Sequence, residues 1–248
     1  MNYLKKVLRV HSIAELPELN TKGVLVVSDN QEIIDECLNR NIPVAAYEHD
    51  VVSGLKCEHI FLDIDEIDDD EFENVYRRQR GIPLDITTTA RTYIREFCMK
   101  DLDKLFELYA KPKMTEYMEP LYPYDEERAY QRNYINYVYK VFGYGQWLVF
   151  DKSTDELIGR AGIENRETCV EYGQAELGYC IATDRWRQGY AFEVCTQVVA
   201  IAKQRYQLKS LIARCDKRNA ASIGLLEKLG FTRTKEMSDD EFLYKRIL

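Results

Sequence analysis

No stretch of this 248-residue sequence approaches the roughly 18–20 consecutive apolar residues of a membrane-spanning helix, so no membrane association is expected. Residues 1–10 carry lysines but no apolar run after them and no small-residue cleavage site, which argues against a secretory leader. Basic charge is scarce relative to acidic. The formal net charge of -8 opposes general affinity for nucleic acid, whose phosphates must be neutralised by Lys and Arg. Paired cysteines are also missing. The seven cysteines are scattered, odd in number and never form C-x-x-C, so neither zinc nor a disulfide framework is expected, and a reducing cytoplasm fits. Internal repeats and low-complexity segments are absent. What remains is a chain with 46% hydrophobic residues, enough for a real core, and long enough for one large or two unequal domains.

Residues 1–84 read as a small Rossmann-like α/β unit. Val24-Leu25-Val26-Val27 has the β-branched, apolar character of a buried strand. Ser28-Asp29-Asn30 supplies helix-capping chemistry, and Ile33, Ile34, Cys37 and Leu38 recur at helical spacing. Strands are expected again at Pro43-Val44-Ala45-Ala46 and His59-Ile60-Phe61-Leu62, which makes a parallel βαβ arrangement. Seven carboxylates fall between residues 63 and 71. Without a threonine, lysine or second acidic motif to complete a metal site, they read as a solvated lead into a helix over residues 72–80. Residues 85–90, polar and threonine-rich, read as a linker.

From Arg91 the rhythm changes to that of a second α/β domain over 91–248. Tyr93-Ile94-Arg95-Glu96-Phe97 alternates as a strand, and Asp101 is placed to cap a helix carrying Leu102, Leu105, Phe106 and Leu108. Tyr130, Tyr134 and Tyr137 would share one helical face, and Ile135, Val138 and Phe142 another. Strands are expected over 147–150, 157–163 and 175–181, the first two joined by a hairpin loop over residues 151–155. A helix, a strand at 211–213, a helix and a strand follow.

The chemistry concentrates in two segments. In Glu176-Leu-Gly-Tyr-Cys-Ile-Ala-Thr-Asp-Arg-Trp186-Arg-Gln-Gly189-Tyr-Ala191, a strand ends near Ile181 and a helix opens around Gly189. A helix's first turn offers unpaired N–H groups and the positive dipole end, a glycine lets a phosphate approach closely, and Arg185 and Arg187 add charge. The second segment, Asn219-Ala-Ala-Ser222-Ile-Gly-Leu-Leu226-Glu-Lys-Leu-Gly230-Phe231, is a capped helix with Ile223, Leu226 and Leu229 facing inward and a glycine at its end.

Together these segments resemble the GNAT superfamily of N-acetyltransferases, most closely its ribosomal-protein-alanine acetyltransferase branch. That branch reads E-[IL]-G-Y, then W-x-x-G-Y-A, then N-x-x-S-x-x-x-x-E-K-x-G-F, and all three occur here in order. The resemblance implies an α/β fold with a mixed, mostly antiparallel twisted sheet flanked by helices. It implies acetyl-CoA as co-substrate, no metal, and an amine acceptor that attacks the thioester directly. By the same resemblance, Tyr179, Cys180 and Ile181 lie along the pantetheine arm. The pyrophosphate falls on the amides of Arg187, Gln188, Gly189, Tyr190 and Ala191, and Asn219 with Ser222 contacts the cofactor further along. Relatives often place a tyrosine acid where this chain has Leu226 and a glutamate base where it has Arg214. Glu176 is therefore the first candidate base, through water, and Glu164 the second, while Glu193 is assigned to local structure.

Deprotonating a lysine at pH 7 costs about 4.6 kcal/mol, against about 1 kcal/mol for an α-amine, so a site without a strong base suits a protein N-terminus or a small-molecule amine. A catalytically silent acetyl-CoA sensor is the alternative reading, and a homodimer is left open.

Overall fold

The computed structural model of the chain describes residues 3–16, 22–48, 54–236 and 240–248, which divide into two compact units, Met1–Leu84 and Asp85–Leu248.

The first unit is a four-stranded, all-parallel sheet in the order β1-β2-β3-β4, comprising β1 (Lys6–Arg9), β2 (Val24–Ser28), β3 (Val44–Tyr47) and β4 (Ile60–Phe61). The edge strand β1 has no apolar run and escapes the sequence pattern; its parallel pairing to Val24–Val27 is what makes it a strand. Helix α1 (Gln31–Asn39) is capped by Asn30, whose side chain accepts the Glu32 N–H, and it buries Ile33, Ile34 and Cys37. Helix α2 (Asp69–Gln79) buries Phe72, Val75 and Tyr76. The acidic stretch before it is spent on local structure. Asp63 accepts from the Asp65 N–H, Asp68 caps α2 through the Glu71 N–H, and Asp65 pairs with Arg9. Parallel strands, polar on neither face, give this unit a cluster on each side of the sheet.

The second unit contains an eight-stranded sheet in the order β11-β12-β10-β9-β8-β7-β6-β5. Its first strand, β5 (Asp85–Thr88), corrects the expected linker. Threonines suit a strand as well as a loop, and antiparallel pairing with β6 (Thr92–Arg95), with Ile86 packed on the core, decides it. Helix α3 (Leu102–Tyr109) buries Leu102, Leu105 and Leu108. Asp101 does not cap it as expected: a 3-10 turn, Met99–Asp101, precedes α3, and the Asp101 carboxylate reaches back to the Cys98 N–H at 3.0 Å and to Arg95 at 2.6 and 2.7 Å.

Helix α4 (Tyr124–Asn133) runs through a π-helical turn, Tyr134–Val138, into the short α5 (Tyr139–Phe142). The π turn adds a residue to the period and breaks the expected stripes. Tyr134 and Tyr139 turn inward, whereas Tyr137 and Val141 are left exposed. Strands β7 (Gln146–Asp151), β8 (Leu157–Glu164) and β9 (Gln174–Ile181) form an antiparallel meander at the centre of the core. Helix α6 (Tyr190–Gln204), strand β10 (Ser210–Asp216), helix α7 (Ala220–Lys228) and the hairpin β11 (Thr232–Glu236) with β12 (Glu241–Ile247) complete the unit. Strand β12 lies between β11 and β10, and β9–β10 is the one parallel pair of this sheet among the described residues.

Candidate active site

That parallel pair creates the site. Strand β10 follows β9 only from Gln174 to Glu176, while β9 stays paired with β8 as far as Ile181. The two strands then diverge. The Ala182 N–H donates to the Ile158 carbonyl, which fixes the alternation: residues 178, 180 and 182 exchange bonds with β8, and Tyr179 and Ile181 turn their backbone groups toward β10. Among the described residues no strand is opposite them there. The Ile181 carbonyl accepts the Trp186 indole N–H at 2.7 Å, which leaves its N–H aimed into the opening.

The loop after β9 is shaped by two left-handed residues, Arg187 (φ 60°) and Gly189 (φ 84°). Gly189 occupies the N-cap of α6 without a side-chain cap. The first turn closes with the Glu193 N–H on the Gly189 carbonyl, so the N–H groups of Tyr190, Ala191 and Phe192 have no carbonyl one turn back to bond. Val194, Cys195, Val198, Val199 and Ala202 bury the opposite face and hold this helix end in place.

A second layer fixes the loop. Arg91 donates its backbone N–H and its Nε to the two oxygens of Glu193, at 2.9 and 2.7 Å, and its Nη1 to the Gln188 carbonyl at 3.0 Å. Its guanidinium lies 4.0 Å from the centre of the Tyr190 ring, whose hydroxyl donates to Asp151 at 3.0 Å. Hydrogen bonds from Ser153, reinforced by that tyrosine hydroxyl, lower the Asp151 carboxyl to about 2. Arg91 and Asp151 lie far from the loop in sequence, and no local pattern marks them. Glu193 takes the structural role expected of it.

Opposite the loop, Asn219 caps α7 by accepting the Ser222 N–H at 3.0 Å, and the Ser222 hydroxyl meets the Tyr179 hydroxyl at 2.6 Å. Burial pushes the Tyr179 phenol well above its usual range and keeps it protonated at neutral pH. Leu226, one turn along α7, is fully buried and brings no acid.

These elements enclose a cavity of about 560 Å³, within the usual range for a small-molecule site. Tyr179, Cys180, Ile181, Arg187, Gly189, Tyr190, Ala191, Asn219 and Ser222 all line it. Gln188 does not: its carbonyl is held by Arg91 and its side chain donates to the Asp184 carbonyl. Arg185 lines the cavity, but its charge is shared with Glu156 at 3.0 Å. Met114, Tyr117 and Met118, from the segment after α3, form one wall of it.

The two candidate bases stand apart from the cavity lining, on the sheet face that carries Cys180. Glu176 accepts from Arg214 Nε at 3.0 Å and from the Thr168 hydroxyl at 2.7 Å. Glu164, its register partner on β8, accepts from the Tyr134 hydroxyl at 2.7 Å and from Arg166 at 2.5 Å.

Residues 91–232 match the family model of the GNAT acetyltransferase domain. The chain is 28% identical over 163 residues to the uncharacterized N-acetyltransferase p20 of Bacillus licheniformis, covering 64% of this chain and 89% of that protein. It is 27% identical over 150 residues to the uncharacterized N-acetyltransferase YoaA of Bacillus subtilis, covering 60% and 83%. Among solved structures, the fold matches a GNAT-family acetyltransferase from Bacillus anthracis with a TM-score of 0.55, at 20% identity over 66% of this chain and 98% of that one. It also matches the ribosomal-protein-S5-alanine acetyltransferase from Vibrio fischeri with a TM-score of 0.57, at 16% identity over 66% and 96%.

Proposed function

The chain belongs to the GNAT family of acetyltransferases, and from that premise we propose that it transfers acetyl from acetyl-CoA to an amine, a protein N-terminus or a small molecule, in the cleft between β9 and β10. The observation that carries this reading is the early end of the β9–β10 pairing. It opens a bare strand edge beside an uncapped helix N-terminus, in one cavity.

An edge that lacks its neighbouring strand suits an amide-bearing arm, which takes the place of the missing strand and bonds the Tyr179 backbone. The N–H groups of Tyr190, Ala191 and Phe192, with the positive end of the α6 dipole, suit a pyrophosphate. The left-handed turns at Arg187 and Gly189 aim further backbone N–H groups the same way. With the cofactor so aligned, its thioester carbonyl falls at the Ile181 N–H, a fixed donor for the oxygen on which charge develops. Acetyl-CoA supplies an activated acyl group, so the protein has to align, polarise and move protons.

The amine attacks the thioester carbon, the C–S bond breaks, and the thiolate leaves with its electron pair. The Tyr179–Ser222 hydroxyl pair lines the cavity where Leu226 offers nothing, and it donates a hydrogen bond to the departing thiolate, which takes its proton from solvent. Glu176, held in one orientation by Arg214 and Thr168, takes the proton of the amine through water, with Glu164 as the secondary candidate.

Release of free thiol from acetyl-CoA, measured with and without amines, tests the reading; acetyl-CoA that binds without any amine-dependent turnover would replace it by a cofactor sensor. Tyr179→Phe and Ser222→Ala should lower kcat more than they change KM. Glu176→Gln should lower kcat by roughly 10²–10⁴-fold if it is the base. A loss below tenfold with an unaltered pH–rate profile would return Glu176 to a structural role.

A further inference from the structure

On the sheet face that carries Glu176, Arg160 is left without an ion-pair partner among the described residues. Arg160 on β8 is the register partner of Cys180 on β9, and paired residues of antiparallel strands project from the same face. Cys180 lines the cavity, so Arg160 stands one strand from the point where the cleft opens. Its described hydrogen-bond partner is the Tyr109 hydroxyl at 3.4 Å, long for such a bond. It forms no ion pair among the described residues.

The neighbouring carboxylates are otherwise engaged. Glu164 is taken by Arg166 and Glu176 by Arg214. Glu127, whose charge reaches Tyr109, is buried and accepts from the Gln131 amide at 2.6 Å and the Tyr122 N–H at 3.1 Å. The remaining N–H groups of Arg160 have no protein partner among the described residues, yet they are not sealed from solvent. A half-buried guanidinium is expensive to hold without a counter-charge, and its planar fork of donors fits a carboxylate. Tyr109 adds a second donor. Its oxygen faces Arg160, its hydroxyl lies within hydrogen-bond reach of the Cys180 thiol and can turn from it to the same anion, and burial keeps the phenol protonated.

We propose that Arg160, with Tyr109, binds a carboxylate on the acceptor, so that the amine acetylated belongs to a free amino acid. This rests on the acetyl-transfer reading and sharpens it. Arg160 is a single strand spacing, about 5 Å of backbone, from β9 at Cys180, next to the Ile181 N–H assigned to the thioester. An amine and a carboxylate held that close together belong on one small molecule. A polyamine or lysine side chain would bring positive charge to an unpaired arginine, and a peptide N-terminus has an amide where the carboxylate should be.

The test uses the full chain, acetyl-CoA and thiol release with three sets of acceptors: free amino acids, their carboxamides, and the matching amines that lack the carboxyl group. Amidation keeps the α-amine and removes only the anion. We expect kcat/KM for the acids to exceed that for the amides by about 10- to 100-fold, the size of a charge-assisted contact. Arg160→Gln should erase that preference, and Tyr109→Phe should reduce it, with acetyl-CoA affinity by calorimetry unchanged. Turnover of amides, polyamines or peptide N-termini as fast as that of the acids overturns the assignment and leaves acetyl transfer standing. A preference for acids that survives in Arg160→Gln also overturns it. No turnover with any acceptor, in a protein that binds acetyl-CoA, counts against both readings.

Discussion

The phosphate end of the cleft gives the sharpest single prediction, because one atom position separates two effects there. Gly189 has φ +84°, and a Cβ built on it would come no closer than 3.6 Å to another atom, the Arg91 Nη2. There is room for a side chain, but the backbone conformation opposes one. Gly189→Ala should therefore cost about 1–2 kcal/mol of stability from the left-handed conformation, and should weaken acetyl-CoA binding by less than about tenfold. Gly189→Glu pays the same backbone strain and adds a carboxylate beside the proposed pyrophosphate. One pair of like charges about 5 Å apart, at an effective dielectric of about 20, repels by about 3 kcal/mol, or roughly 150-fold in affinity. Calorimetry on the two variants, with near-ultraviolet circular dichroism as a check on folding, reads the difference. High salt should narrow the gap, since the extra term is charge repulsion. Equal affinities for Gly189→Ala and Gly189→Glu, both folded, would show that no phosphate sits at the start of α6 and would refute the reasoning.

The layer behind the loop is open to the same treatment. Removing the Arg91 side chain (Arg91→Ala) frees Glu193 and the Gln188 carbonyl together, so thermal melting should show a loss of about 1–3 kcal/mol. Adding Glu193→Gln should cost little more, because the two residues act as one unit. Asp151 predicts a pH effect. Its folded carboxyl, at about 2, lies below the ordinary 3.8, so it contributes stability above pH 4, and that contribution is lost as the pH falls from about 4 through 2. Its size is on the order of 1–2 kcal/mol. Melting curves from pH 6 to 2 should show a smaller acid-side loss for Asp151→Asn than for the parent. The division into two units predicts that residues 85–248, expressed alone, bind acetyl-CoA; starting the fragment at 91 instead should destabilise it by removing β5. Equal melting temperatures for the two fragments would show that β5 is dispensable.

The order of elements and most of the cleft's residues were legible in the sequence because they are written locally. Strand β2 is an unbroken apolar run, α6 and α7 carry their apolar stripes, and a glycine stands at the start of α6. Asn219 and Ser222 are three residues apart because a helix cap requires that spacing. What was misread locally was underdetermined locally. The threonine-rich residues of β5 suit a loop or a strand until β6 lies beside them, and one extra residue in the π turn after α4 moves every later tyrosine to another face.

The rest belongs to tertiary structure, because it depends on groups that only the folded chain brings together. Pairing of β9 with β10 stops after Glu176, and nothing in either strand's own pattern announces it. Arg91 reaches Glu193, and Tyr190 reaches Asp151, across distances in sequence that no periodicity spans. Candidate bases are read from a sequence by residue type, but what holds them is not: Glu176 is engaged by Arg214 and Thr168, and Glu164 by Arg166 and Tyr134. Arg160 shows the same division from the other side. As a letter in a strand it is an ordinary surface arginine. Only the sheet, by placing it across from Cys180 and giving Glu164 to Arg166 and Glu176 to Arg214, leaves it without a counter-ion among the described residues. Sequence determines which groups are present and their local geometry; folding decides which charges are paired.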